Sequence, residues 1–184
     1  MKLILASASP RRAALLQSAG LRFDVQAADV DETPLPGEEP EALVCRLSRS
    51  KAEAVALRCP ESIILAADTV VVFDDEIFGK PESVEEATEM LNQLSGDQHE
   101  VMTGFTILRP GSKALTELVV TEVTFRKLST SEIQTYVAGG EPMDKAGAYG
   151  IQAGAAGFVS RIEGSYTNVV GLPVAEVLQA MAKR

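Results

Sequence analysis

Asp68 is the first residue that packing alone leaves unexplained. It lies within Ile63 to Phe73, an apolar run broken only by Asp68 and Thr69. A carboxylate there is costly unless it is paired or bound to a metal. It either caps a neighbouring turn from a strand end, or acts as metal ligand or general base at the carboxyl end of a strand, where open α/β sheets place ligands. Ser7-Ala8-Ser9-Pro10-Arg11-Arg12 is the second feature: Ser9 and Pro10 open a helix whose free N–H groups and dipole favour phosphate. Arg11 and Arg12 in its first turn oppose that dipole, so an anion is expected to compensate them. Without one, they are simply solvated. Lys51 is the third, four residues after Leu47 and seven after Val44, on the apolar stripe of a helix. It either snorkels from that stripe or serves a site. The fourth is Phe78-Gly79-Lys80-Pro81, which lacks the upstream glycine and following Ser/Thr of a Walker A loop and, alone, reads as a turn with a solvated lysine. The acidic stretch Asp29-Val30-Asp31-Glu32 is equally open between a solvated loop and a ligand set.

Together these residues have a chemical logic. Arg11, Arg12, Lys51 and Lys80 supply cations for a polyphosphate, while Glu32 and Asp68 supply carboxylates for a hard metal and for activating water. Phosphoanhydride hydrolysis needs both sets, because positioning and charge stabilisation provide most of the catalysis. His99 is the only histidine, and no C-x-x-C occurs, so zinc is not expected. A catalytic metal would use oxygen ligands, which points to Mg²⁺ or Mn²⁺. Cys45 and Cys59 fall on one helix or its end, roughly 20 Å apart at ~1.5 Å per residue, and are expected as reduced thiols. The glycines at 147, 150, 154 and 157 do not form G-x-G-x-x-G, so no dinucleotide cofactor is indicated.

The elements that must hold these residues can be read in outline. Lys2 to Ala6 reads as a strand, and a helix runs from Pro10 to near Gly20. Residues 29–38 form an acidic, proline-rich loop before a helix from about Pro40 to Arg58. Ile63 to Phe73 is a buried strand, or two strands meeting at Asp68-Thr69, followed by a turn at Asp74-Asp75. Ser83 with Glu86, and Ser129 with Glu132, are capping boxes opening helices that end at Gly96 and at Gly139-Gly140. His99 to Leu108 and Leu115 to Leu128 read as an antiparallel pair across Pro110-Gly111-Ser112. A glycine-rich loop to about Gly157, a strand, a turn at Glu163-Gly164, another strand and a helix from Pro173 complete the chain. The class is α/β with a mixed sheet, in a single domain over residues 1–184.

The chain has 184 residues, 17 Lys+Arg against 26 Asp+Glu, and a formal net charge of −9. Such a balance, with no Trp and 5% aromatics, disfavours extended nucleic acid, which needs a basic face and stacking platforms. No apolar run approaches the ~20 residues of a membrane helix. The apolar stretch Leu3 to Ala6 is shorter than the ~7–15 residues of a signal-peptide core and Arg11-Arg12 follow at once, so a cytoplasmic location is expected.

In order and spacing the motifs resemble the Maf proteins, nucleoside triphosphate pyrophosphatases once described as septum-formation inhibitors. The resemblance covers essentially the whole chain: Ser7 to Arg12, Asp31-Glu32-Thr33, Ser50-Lys51-Ala52, Ala67-Asp68-Thr69, Gly79-Lys80-Pro81, Glu141 to Gln152, Gly164-Ser165-Tyr166 and Val170 to Pro173. Ser50 departs from the Glu that many members carry before the lysine. The resemblance implies an inosine-triphosphate-pyrophosphatase-like fold, a long mixed twisted sheet flanked by helices, in two lobes around a cleft, and a homodimer. It implies metal-dependent cleavage between the α- and β-phosphates. Asp68 takes the catalytic acid position, Glu32 joins it near the metal, and Ser7, Arg11, Lys51 and Lys80 hold the triphosphate. Arg12, Thr69 and Gln152 occupy the positions that track base choice, and their versions here look like the dTTP/UTP branch. The 7-methyl-GTP branch typically has a Trp in the first motif and a Gln after the aspartate. The rival reading is a non-catalytic nucleotide-sensing or division-control protein; retention of both carboxylates and cations speaks against it. Modified pyrimidine nucleotides are a further substrate class for the same chemistry.

Overall fold

A computed structural model describes residues 1–183. Seven strands form one mixed sheet with the order β2-β1-β3-β5-β6-β7, and β4 pairs with β3 off this path. β1 (Leu3–Leu5) is parallel to both β2 (Asp24–Val25) and β3 (Ile63–Phe73). β4 (Glu76–Phe78) runs antiparallel to β3, and β7 (Val159–Glu163) antiparallel to β6 (Leu115–Phe125). β5 (Gln98–Leu108) lies between β3 and β6. The chain divides into two compact units, with the divisions inside the three long strands, after Thr69, after Met102 and after Val119. The first unit holds Met1–Thr69, Thr103–Val119 and the stretch from Gly171 on; the second holds Val70–Met102 and Val120–Val170.

In the first unit, strand alternation sorts side chains onto two faces. Leu3, Leu5, Leu65 and Ala67 face a core with Leu16 of α1 (Pro10–Ser18) and Val177 and Ala180 of α6 (Val174–Ala182). Ile4, Ala6, Ile64 and Ala66 face Ala52 and Val55 of α2 (Pro40–Ala56). By the same period of two, Thr69 belongs to the α1 side and Asp68 to the α2 side. α2 approaches β5 closely at Gly104, where a Cβ would lie 2.5 Å from the Val44 carbonyl carbon and oxygen. Only glycine allows that contact, and it sets the height of the helix that carries Lys51.

The second unit packs α3 (Val84–Leu94) against α4 (Thr130–Ala138) beside an aromatic cluster. His99, Phe125 and Tyr149 meet edge to face, with centroids 4.8 to 5.4 Å apart. The His99 Nε2 shares a 2.8 Å hydrogen bond with the Tyr149 hydroxyl, and its Nδ1 is buried with no partner among the described residues.

The helices begin where the caps predict: Ser9, Ser83 and Ser129 each accept from a backbone N–H three residues on. The reciprocal bond completes a capping box only at Ser129; Glu86 instead accepts from the Glu82 N–H. Three readings are corrected. Ile63–Phe73 is one continuous strand, so Asp68 lies in its middle and not at a strand end. The segment after Gly164, read as a strand, is a short helix, α5 (Tyr166–Val170), stabilised by Ser165, whose backbone oxygen and Oγ both accept from the Asn168 N–H. The glycine-rich loop is wound into three 3-10 turns, at Glu141–Asp144, Ala146–Ala148 and Gly154–Phe158. β2 and β4, two and three residues long, carry too little periodicity to read. Asp74 and Asp75, with φ of 49° and 63°, form the two-residue turn that joins β3 to β4.

Burial lowers His99 from 6.5 to about 4. Between these values the unfolded chain binds the extra proton, so the stability tied to neutral His99 is complete above about pH 6.5 and is lost as pH falls toward 4. Across that window the wild-type protein should lose roughly 3 kcal/mol more than a His99→Phe variant, read from urea unfolding midpoints. Equal losses would contradict this account of His99.

Candidate active site

The carboxyl end of β1 leaves β3 without its parallel neighbour: the register closes at Leu5 opposite Leu65, and the Ala6 N–H donates to the Leu65 oxygen. Ser7 follows on one strand, and Ala67, Asp68 and Thr69 on the other. This is where open sheets expose functional groups, and it explains how a mid-strand carboxylate can serve a site.

On the α2 face, the Lys51 ammonium lies 2.5 Å from Asp68 Oδ1 and 2.8 Å from Glu32 Oε1. Lys51 and Asp68 are each 8% exposed, whereas Glu32 is exposed. The expectation for Lys51 is thereby refined: it is buried on the apolar stripe and bridges two carboxylates. The trio carries a net charge of −1. The second oxygen of each carboxylate has no hydrogen-bond partner among the described residues. Hard oxygen donors converging on one point suit Mg²⁺ or Mn²⁺, which take one or two carboxylates and complete their shell with water and phosphate. Among the described residues no three His, Cys, Asp or Glu side chains group as a metal-binding set. Glu32 and Asp68 fit the smaller protein contribution that Mg²⁺ requires.

Glu32 is brought there by its loop. Arg46 of α2 donates from Nε and Nη2 to the two carboxylate oxygens of Glu38, at 2.6 and 2.7 Å, and from Nη2 to the Thr33 oxygen at 3.1 Å. The guanidinium, helped by the Leu35 N–H, holds the Glu38 carboxyl down at about 2, so this clamp is ionised throughout the neutral range. The Thr33 N–H donates to Asp31 Oδ1 at 2.9 Å, closing an Asx turn next to Glu32.

On the opposite face, Arg12 is held by neutral acceptors. Its Nε donates to the Gly171 oxygen at 2.8 Å, Nη1 to the Ala67 oxygen at 2.8 Å and to Ser7 Oγ at 3.2 Å, and Nη2 to Thr69 Oγ1 at 3.0 Å. Backbone carbonyls and hydroxyls satisfy the hydrogen bonding of the guanidinium. Burial lowers Arg12 from its ordinary value, opposed by the charge of Asp68, and an arginine starting so high stays protonated. Ser7 Oγ also accepts from the Ser9 N–H at 3.2 Å, leaving its own hydrogen to donate. Arg11 is half-buried in the first turn of α1.

Lys80 and Gln152 belong to the second unit, and both are exposed. The Gly79 oxygen, beside Lys80, accepts from the Gly147 N–H at 3.0 Å. Gln152 lies on a turn pinned at both ends: the Gly150 N–H donates to the Tyr136 hydroxyl at 3.1 Å, and the Gly154 N–H to Glu141 Oε2 at 3.1 Å. The Tyr136 hydroxyl in turn donates to Glu141 Oε1 at 3.0 Å. Sequence reasoning placed Glu141 only within a motif and passed over Tyr136 and Thr103. The signal for Thr103 is a polar residue in the apolar stretch Val101 to Leu108, beside the close-approach glycine at 104.

Comparisons with known proteins agree with this architecture. A family model described as Maf-like protein matches residues 2–184. A protein of Citrifermentans bemidjiense named dTTP/UTP pyrophosphatase is 54% identical over 97% of this chain and 93% of its own. One of the same name from Geobacter sulfurreducens is 52% identical over 99% and 96%. Among solved structures, a HAM1 protein from Coxiella burnetii covers all of both chains with a TM-score of 0.53 at 13% identity, a likeness of fold. With a match from residue 2 to the last and half its positions shared with these relatives, the chain belongs to the Maf-like protein family.

Proposed function

We propose that this protein hydrolyses dTTP and UTP to the nucleoside monophosphate and pyrophosphate. The observation that carries the chemistry is the buried Lys51 shared by Asp68 and Glu32, two carboxylates on one cation. The names of relatives at about half identity carry the substrate.

Water attacks the α-phosphorus, the bond from that phosphorus to the α,β-bridging oxygen breaks, and pyrophosphate departs with the electron pair. Asp68 takes the water proton on Oδ2, since Oδ1 is committed to Lys51. Lys51 orients Asp68 and fixes Glu32 relative to it. The Ser7 hydroxyl, having accepted from Ser9 and Arg12, donates its hydrogen to a phosphate oxygen. A Mg²⁺ or Mn²⁺ ion held by Glu32 and Asp68 would neutralise phosphate charge. Roles for Arg11 and Lys80 at the triphosphate, and for Arg12, Thr69 and Gln152 in base choice, rest on the family resemblance. Gln152 suits a pyrimidine edge, because an amide both donates and accepts. This reading places the enzyme in the cytoplasm, acting on free nucleotides, with modified pyrimidine nucleotides as a further substrate class.

Asp68→Asn removes the proton acceptor while preserving shape, and should lower pyrophosphate release by about 10²-fold or more with an unchanged circular dichroism spectrum. Near-normal turnover would remove Asp68 from the chemistry. In a nucleotide panel with Mg²⁺ or Mn²⁺, dTTP and UTP should exceed 7-methyl-GTP in turnover; the reverse ranking would overturn the pyrimidine assignment.

A further inference from the structure

We propose that Thr103, which has no assigned role, is a positioning residue for Asp68. The inference rests on the proposed hydrolysis and concerns how its carboxylate is aimed. Thr103 is fully buried on β5, and its hydroxyl lies 2.9 Å from Thr69 Oγ1 on the neighbouring strand. Thr69 has one hydroxyl hydrogen, and it points to the Gly171 oxygen at 3.3 Å. With that hydrogen on Gly171, the hydrogen between the two hydroxyls comes from Thr103. Thr69 Oγ1 then accepts from Thr103 and from Arg12 Nη2, and its hydrogen-bonding capacity is complete.

The consequence lies on the other side of the strand. Ala67 and Thr69 flank Asp68, and both are held by the one Arg12 guanidinium, through the Ala67 oxygen and Thr69 Oγ1. Fixing the residues on either side fixes the pleat between them, so Asp68 is presented on the α2 face at 2.5 Å from Lys51. Gly171, with φ of 123°, turns its carbonyl toward both Arg12 Nε and Thr69. Four of the five Arg12 N–H groups, and the whole Thr69 hydroxyl, are thus engaged inside the protein. These two residues shape the site through strand placement, and Thr103 is the buried end of that chain of bonds.

The variants Thr103→Val, of equal shape without the hydroxyl, and Thr103→Ser, which restores the donor, test the idea by steady-state pyrophosphate release from dTTP. Thr103→Val should lower kcat about tenfold with KM within about threefold of wild type, and Thr103→Ser should recover kcat to within about threefold. Unchanged kcat in Thr103→Val, a change confined to KM, or no recovery in Thr103→Ser would overturn the proposal. If Thr103→Val does not fold, Thr103→Cys, a weaker donor of similar size, takes its place with the same expectation. A wild-type protein that released no pyrophosphate would contradict the proposed function instead. The positioning claim would then be read from a crystal structure of the Thr103 variant: an Asp68–Lys51 contact beyond hydrogen-bond distance supports it, and one unchanged at 2.5 Å overturns it.

Discussion

A single ammonium group sets the constraint around which the first unit is arranged. Lys51 is buried, and a buried cation without partners is untenable, so Asp68 and Glu32 must converge on it. Each partner comes from a different element: Lys51 from α2, Asp68 from β3, Glu32 from the loop between β2 and α2. Removing Lys51 leaves two carboxylates with no cation between them, whereas removing either carboxylate leaves a neutral pair. The stretch between residues 29 and 56 is therefore tied to the sheet by electrostatics as well as by the contacts of Ala52 and Val55.

That arrangement also explains how an acidic chain can handle a polyanion. A net charge of −9 excludes a broad basic face, but a triphosphate is compact and needs only local compensation. The two carboxylates outweigh Lys51 by one charge, which favours a divalent cation, and the Ser7 hydroxyl keeps its hydrogen to donate. Two faces of one strand share the work. The α2 face holds Lys51 between two carboxylates, and the α1 face holds Arg12 among neutral oxygens, where it braces the backbone.

Much of this was legible in the sequence, for identifiable reasons. Asp68 stood out because a carboxylate inside an apolar run violates the strand pattern. Lys51 stood out because its spacing from Val44 and Leu47 forces it inward. The caps at Ser9, Ser83 and Ser129 fixed helix starts because capping is a local interaction. What stayed hidden depends on long-range contacts. Nothing near Arg12 in sequence shows that its partners are the oxygens of Ala67, Thr69 and Gly171. The Thr69–Thr103 pair is a cross-strand contact invisible to periodicity. The helix after Gly164 was misread because Tyr166 to Val170 favours strands by composition, whereas the Ser165 cap decided the conformation.

Glu32 and Asp68 each keep one oxygen clear of Lys51, and in the proposed reaction these two oxygens hold the divalent cation. Titration of Mn²⁺ into wild-type protein and a Glu32→Gln variant without nucleotide, followed by electron paramagnetic resonance, tests this most directly. The account predicts Mn²⁺ binding to the variant weaker by about tenfold or more, because one of two carboxylate ligands is lost. Equal or tighter binding would contradict it.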